Sequence, residues 1–321
     1  MSKVEFALFS PQAGQSTKAL FERAALCEKL GYHSMWLVDH FWTRGMPDLD
    51  HVEALTMMAG LAARTEKIRI GTLVLCNSFR NPALLAKSLT TIDHISNGRL
   101  EIGMGAGWMD EEYLAYGYEF PETPVRLKQL QEGLEILTAM LGPEKKPSFK
   151  GKYYSIAEAS NNPKPVQKPR PPITVGGSGE KVMLKLVAKY ADRWNCPAGY
   201  ESFERKFNVL KDHCTKVGRN LNEINISEQL LICIGNNDAE VEQKWQRAKG
   251  MRPFSITGIK GTPAQLVEQL KNRVKMGITT FTIFFSDGAP PATLELFAKE
   301  VAPAFTGDSA QIASESAKRS A

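Results

Sequence analysis

Histidine is scarce in this chain: His33, His40, His51, His94 and His213 are the only five in 321 residues. None falls in a His-Glu-x-x-His spacing, and the five cysteines, Cys27, Cys76, Cys196, Cys214 and Cys233, contain no Cys-x-x-Cys pair. The usual zinc signatures are missing, so no metal is expected. An odd, scattered set of cysteines argues against a disulfide framework and for free thiols in a reducing cytoplasm. The opening "MSKVEFALFS" has no basic-then-apolar signal pattern, and no apolar run approaches the roughly 18 residues that a membrane span requires. A net charge of +5, with bases and acids interleaved, offers no stripe for nucleic acid.

What is present is an ordinary globular composition, 43% apolar and 23% charged, in a chain long enough for two average domains or for one α/β barrel of about 250 residues with additions. Strand-like runs at 4–9, 34–38, 67–75, 99–105, 172–177, 192–196, 224–235 and 279–285 alternate with helical patterns. One helix starts at Ser16 and stops at Gly31, another is closed by Asn97-Gly98, and a leucine stripe from Leu127 to Leu141 ends at Gly142-Pro143. Eight strands with no composition break fit a parallel (β/α)8 barrel better than an open doubly wound sheet. The irregular stretch 145–171 is an insertion between strands four and five. Residues 1–306 form the expected domain, and 307–321, poor in apolar residues, are expected to be a disordered tail.

In a barrel the chemistry collects just beyond the carboxyl ends of the strands. Three such stretches stand out. "VDHFW" (38–42) sets Asp39 and His40 beyond strand two, where a carboxylate and an imidazole can act as orienter and general acid or base. Neighbours on a strand point to opposite sides, so the two need not touch. "GMGAGWMDEE" (103–112) misses the dinucleotide pattern Gly-x-Gly-x-x-Gly by one residue. "GGSGE" (176–180) follows a strand and opens a helix, so the backbone N–H groups of Gly177, Ser178 and Gly179 suit a phosphate, or form a plain tight turn; it is neither a nucleophile elbow nor a Walker loop. The proline-rich connector "NPKPVQKPRPP" (162–172) carries Lys164, Lys168 and Arg170 with no acid, and so is a candidate for attracting an anionic cofactor tail. Asp93-His94 lies inside a helix and reads as structural.

Taken together, "LVDHFW", "FRNPALLAKSLTTIDHISNGRLEIGMGAGW", "EEYLAYGYEFP", "GKYYSI", "NNPKPVQKPRPPITVGGSGE" and "VAKYADRWN" resemble the luciferase-like monooxygenase superfamily of TIM barrels, in particular its branch of coenzyme F420-dependent oxidoreductases. The resemblance extends to about residue 305. It implies a cofactor ring at the carboxyl mouth of the barrel beside Asp39 and His40, with Trp42 completing the catalytic group. It also implies a non-proline cis peptide near Leu73-Val74 forming a bulge behind the ring, flanked by Thr72. The cofactor contacts continue through Gly105, Ala106, Gly107 and Trp108, where glycines let the backbone of strand four approach, and the phosphate falls on Gly176, Gly177, Ser178 and Gly179. A homodimer is implied as well.

The chain departs from the sugar-phosphate dehydrogenases of that superfamily at two positions. Their glutamate acid is replaced by Trp108, and their aromatic after the Asp-His pair falls at Arg44 instead of Trp42. The expected reaction is hydride transfer between F420 and a small organic molecule. The alternatives are an FMN-dependent monooxygenase fed by a partner flavin reductase, and a non-catalytic flavin-binding barrel, which the presence of Asp39 and His40 disfavours.

Overall fold

A computed structural model of the chain describes residues 3–196, 200–248 and 257–305. Eight parallel strands close on themselves: β1 (Glu5–Phe9), β2 (Ser34–Leu37), β3 (Arg69–Thr72), β4 (Leu100–Gly105), β5 (Ile173–Gly176), β6 (Arg193–Cys196), β7 (Asn225–Ile234) and β8 (Thr280–Phe285). The ring is completed on one side by Glu5 opposite Thr280 and on the other by Asn225 opposite Arg193. This is the (β/α)8 TIM barrel read from the alternation. The expected tail, 307–321, lies outside the described residues.

Helices α1 (Thr17–Leu30), α2 (Ala54–Arg64) and α3 (Pro82–Ile95) wrap the first strands, and their ends follow local chemistry. Ser16 accepts the N–H of Ala19 at the start of α1, Gly31 closes it with φ 80°, and Asn81 caps α3 ahead of a proline in the first turn. The short α4 (Asp110–Ala115) and the long α5 (Thr123–Leu141) follow β4. The stretch 145–171 is held by a two-residue hairpin, Phe149–Lys150 against Ser155–Ile156, and by Gln167, whose backbone and side-chain N–H groups both reach Asp93. The helical Asp93 is thus structural. Then come α6 (Met183–Tyr190), α7 (Tyr200–Val217), α8 (Asp238–Arg247), α9 (Pro263–Lys275) and α10 (Pro291–Glu300). Among the described residues no helix is long and apolar enough to cross a membrane.

Two details depart from the pattern expected of the sequence. The run 67–75 is broken: β3 ends at Thr72, the Leu73-Val74 peptide is cis, and Leu75–Cys76 re-pairs with Met104 and Gly105 of β4. In addition Thr257–Gly261 is a ninth parallel strand, lying against Leu230–Ile234 where β6 no longer covers β7. At the amino end the barrel interior is polar. Arg193 reaches Glu101 at 2.9 Å and Glu5 at 3.1 Å, and His33 stands 3.2 Å from Glu5. That end is plugged by paired charges, while the carboxyl end opens into a cleft.

Candidate active site

The cleft, about 290 Å³, lies at the carboxyl mouth and is lined in part by His40, the Leu73-Val74 bulge, residues 105–109, Glu112 and Gly176. His40 follows β2. Its Nδ1 is 2.9 Å from Oε2 of Glu112, while the other oxygen of Glu112 accepts the N–H of Phe41. Glu112 is only 1% exposed and belongs to the first turn of α4, which opens with three carboxylates where the helix dipole favours them. An ionised carboxylate only accepts, so opposite one the imidazole donates from Nδ1, and a neutral ring then has Nε2 as its acceptor nitrogen. Trp108 stands edge-on to the imidazole, ring centres 5.5 Å apart.

Asp39 has a different set of partners. Its oxygens take the Arg80 guanidinium at 2.7 and 2.8 Å and the backbone N–H of Cys76 at 2.8 Å. Burial opposes the charge on Arg80, but the hydrogen bonds to Asp39 and Glu53 outweigh it and hold the guanidinium above its ordinary pKa. Asp39 therefore pins the segment just after the bulge, and Glu112 orients His40. The alternation along the chain sends the two neighbours apart.

The glycines of "GMGAG" answer to that bulge. A Cβ on Gly103 would strike the Thr72 carbonyl, one on Gly105 would meet Val74 at 2.5 Å, and one on Gly107 would strike the Tyr113 hydroxyl. Their bareness lets β4 and its loop close over the broken strand. The side left without Cβ atoms faces protein, which gives the glycines a packing cause, and the backbone of 105–107 also lines the cleft. Cys76 is hydrogen-bonded to the same tyrosine, and burial pushes its thiol up to about 11, which keeps it protonated near neutral pH.

Residues 4–256 match the luciferase-like monooxygenase family. The chain belongs to that family. Among curated relatives of this luciferase-like barrel, the F420-dependent glucose-6-phosphate dehydrogenase of Amycolatopsis mediterranei (strain U-32) is 34% identical over 200 residues, which cover 62% of this chain and 58% of that protein. The matched stretch thus spans less than two thirds of that relative. The enzyme of the same name from Nocardia farcinica (strain IFM 10152) is 27% identical over 325 residues, covering 89% of this chain and 93% of its own. Among solved structures, an F420-dependent secondary alcohol dehydrogenase in complex with an F420-acetone adduct superposes with a TM-score of 0.80 at 19% identity, covering 94% of this chain and 98% of that one, and so attests the fold.

The positions that the luciferase-like family marks fall in several places. The cis bond sits at Leu73-Val74, as the resemblance implies, with Thr72 fully buried behind it. Trp42 packs on Tyr116, ring centres 5.6 Å apart, and is not among the residues lining the cleft. In "GGSG", Gly177 has φ 129° and its N–H is taken by the Asn195 carbonyl at 3.2 Å, while the N–H groups of Ser178 and Gly179 have no partner among the described residues. The backbone donors that the loop leaves open, among the described residues, are therefore the latter two. Lys206 of α7 donates to the Ser178 carbonyl at 2.8 Å, bringing a cation that no loop motif announces.

The basic connector of this luciferase-like chain is not part of the site. Lys164 donates to carbonyls at the end of α5, and Arg170 pairs with Asp192 just ahead of β6, at the amino end of the barrel and opposite the cleft. The expectation that it draws in a cofactor tail is corrected by strand direction: a segment leading into β5 lies at the pole where strands begin. His51 lies just before α2, with both ring nitrogens buried and without a hydrogen-bond partner among the described residues. Burial lowers its pKa, and His40 lowers it further.

Proposed function

We propose that this chain is an F420-dependent oxidoreductase that passes a hydride between the coenzyme and a small organic substrate at the carboxyl mouth of the barrel. The observation that carries the proposal is His40, a cleft-lining imidazole fixed through Nδ1 by a buried carboxylate, with Nε2 left to take or give the proton that must accompany a hydride. The likeness to F420-dependent dehydrogenases over most of the chain supports the choice of coenzyme.

The residues present fit such a group. Val74 and the backbone of 105–107 line the cleft and would form the wall against which a ring lies. Ser178 and Gly179 supply N–H donors for a phosphate, with Lys206 beside them. When bound, the coenzyme supplies the two-electron chemistry. The chain's own part is to hold it against the bulge, to place His40 for the proton and to surround the reacting atoms with apolar side chains. Pairing into a homodimer belongs to the same proposal and is read by sedimentation equilibrium.

The test is anaerobic. Oxidised F420, mixed with the protein and a panel of alcohols, should be reduced without oxygen. Turnover confined to reduced FMN plus oxygen would overturn the proposal in favour of a monooxygenase.

A further inference from the structure

The charges facing the cleft limit what it can take. Its titratable lining is Asp39, His40, Cys76, Glu112 and Tyr113, and no lysine or arginine is among the described residues that line it. Both carboxylates are already answered, Asp39 by Arg80 and Glu112 by His40 and Phe41. At the rim Arg44 is the nearby cation. It lies 5.7 Å from the Trp108 ring centre and 3.3 Å from Glu111, so its charge is met by a carboxylate. Lys206 is turned to the Ser178 carbonyl and to Glu180, at the phosphate end. Among the described residues that line the cleft no cation stands ready for a substrate phosphate or carboxylate beside His40, and taking one from water to lie against paired carboxylates is strongly unfavourable.

The rest of the wall is apolar. Leu73, Phe79 and Met109 lie within, and Trp108, 48% exposed, forms the side nearest His40. Tyr116, more than half exposed, stacks on Phe41, the neighbour of His40, with ring centres 4.1 Å apart. Exposed aromatics beside an acid-base residue are the usual form of a site for an apolar ligand with one polar handle.

Building on the F420 reading above, we infer that the substrate is an uncharged, largely apolar alcohol or the matching carbonyl compound. Its oxygen is placed at His40 and its hydrocarbon part lies against Trp108, which sets the specificity. In the oxidising direction the carbinol C–H bond breaks with its electron pair passing to the coenzyme, the O–H proton passes to His40 Nε2, and the C–O bond becomes double. The substrate loses two electrons and the coenzyme gains them.

The experiment compares 1-phenylethanol and cyclohexanol with glucose 6-phosphate in two arms. In the first, kcat/KM with F420 is measured for wild type and Trp108→Glu; the neutral alcohols should exceed glucose 6-phosphate at least tenfold. Trp108→Glu should lose at least tenfold in kcat/KM on the neutral alcohols relative to glucose 6-phosphate, a ratio that a change in F420 affinity leaves untouched. In the second, tryptophan fluorescence of the coenzyme-free protein is titrated with acetophenone and with glucose 6-phosphate, and Trp108→Phe identifies the responding ring. Acetophenone alone should quench the wild type, and Trp108→Phe should lose the response. Preference for glucose 6-phosphate in either arm, or no difference between the ligands, overturns the inference. Failure to bind F420 instead defeats the functional reading, and the second arm then decides the substrate class by itself.

Discussion

His40 and Glu112, 72 residues apart in the chain, meet at 2.9 Å across the mouth of the barrel, one on the loop after β2 and the other in the first turn of α4. In the proposed function the pair divides the work: the carboxylate would fix the tautomer and direction of the imidazole, and the imidazole would meet the substrate.

Removing either member should have a different effect. His40→Ala should keep its coenzyme and fold while the hydride-transfer rate falls by about 10²–10⁴, the usual worth of a positioned acid or base. Glu112→Gln can still accept the Phe41 N–H, but its amide donates toward Nδ1 and so moves the proton to Nε2. The rate should then fall with coenzyme affinity unchanged, and nitrogen NMR of the ring should report the switched tautomer. A His40→Ala rate near wild type removes His40 from the chemistry, and an unswitched tautomer in Glu112→Gln removes Glu112 from its positioning role.

Asp39 should behave as a structural residue. Asp39→Ala leaves Arg80 and the Cys76 N–H without their buried acceptor, and breaking such a pair costs about 3–5 kcal/mol. Chemical denaturation should show a loss of that order, together with weakened binding at the neighbouring bulge. A fully stable Asp39→Ala with a catalytic defect like that of His40→Ala would return Asp39 to the proton-transfer machinery.

The phosphate loop is best probed at Ser178. Gly177 holds φ 129° and its N–H is spent on Asn195, so any substitution there strains the backbone whatever is bound. Ser178→Asp adds a negative charge where an oxyanion must approach, and F420 affinity should fall by about tenfold or more, equivalent to ~1.4 kcal/mol. Ser178→Ala should bind like wild type, because the donor proposed is the backbone N–H. Unchanged affinity in a folded Ser178→Asp protein would move the phosphate elsewhere.

Much of this was legible in the sequence, and what was not had physical causes. The order of the eight barrel strands and the cis bond at Leu73-Val74 match periodicity and family likeness, while the run 67–75 breaks after Thr72. Thr257–Gly261 escaped notice because two of its five residues are glycine and its pairing is with distant residues of β7. The His40–Glu112 contact is a tertiary fact: Glu112 is the last of three consecutive acids, nothing local sets it apart from the other two, and only the fold buries it. Lys206 was hidden in the same way, in mid-helix. The basic connector misled because composition reports charge and says nothing of which pole of the barrel carries it.

Stability should fall with acid in two stages. Burial lowers the pKa of His33, against the pull of Glu5 and Glu101, and lowers that of His51, so both stay neutral in the fold. The unfolded chain protonates them near the ordinary value of about 6.5 and then binds more protons than the native one, so stability drops as pH falls below that value. For Glu101, burial alone would raise the carboxyl, but Arg193 and Arg69 leave it below its ordinary value. Its contribution is present above about pH 4.3 and is lost as pH falls further. Thermal midpoints across this range should decline first near pH 6, and His51→Gln should soften that first decline. A flat midpoint down to about pH 5 contradicts the assignment.

The most direct measurement is an equilibrium titration of the full chain with F420 and with FMN side by side, followed by oxygen uptake with whichever is bound. The account predicts that F420 binds more tightly than FMN and that no oxygen is consumed. FMN binding as tightly or more tightly, with oxygen-dependent turnover of reduced FMN, would contradict it.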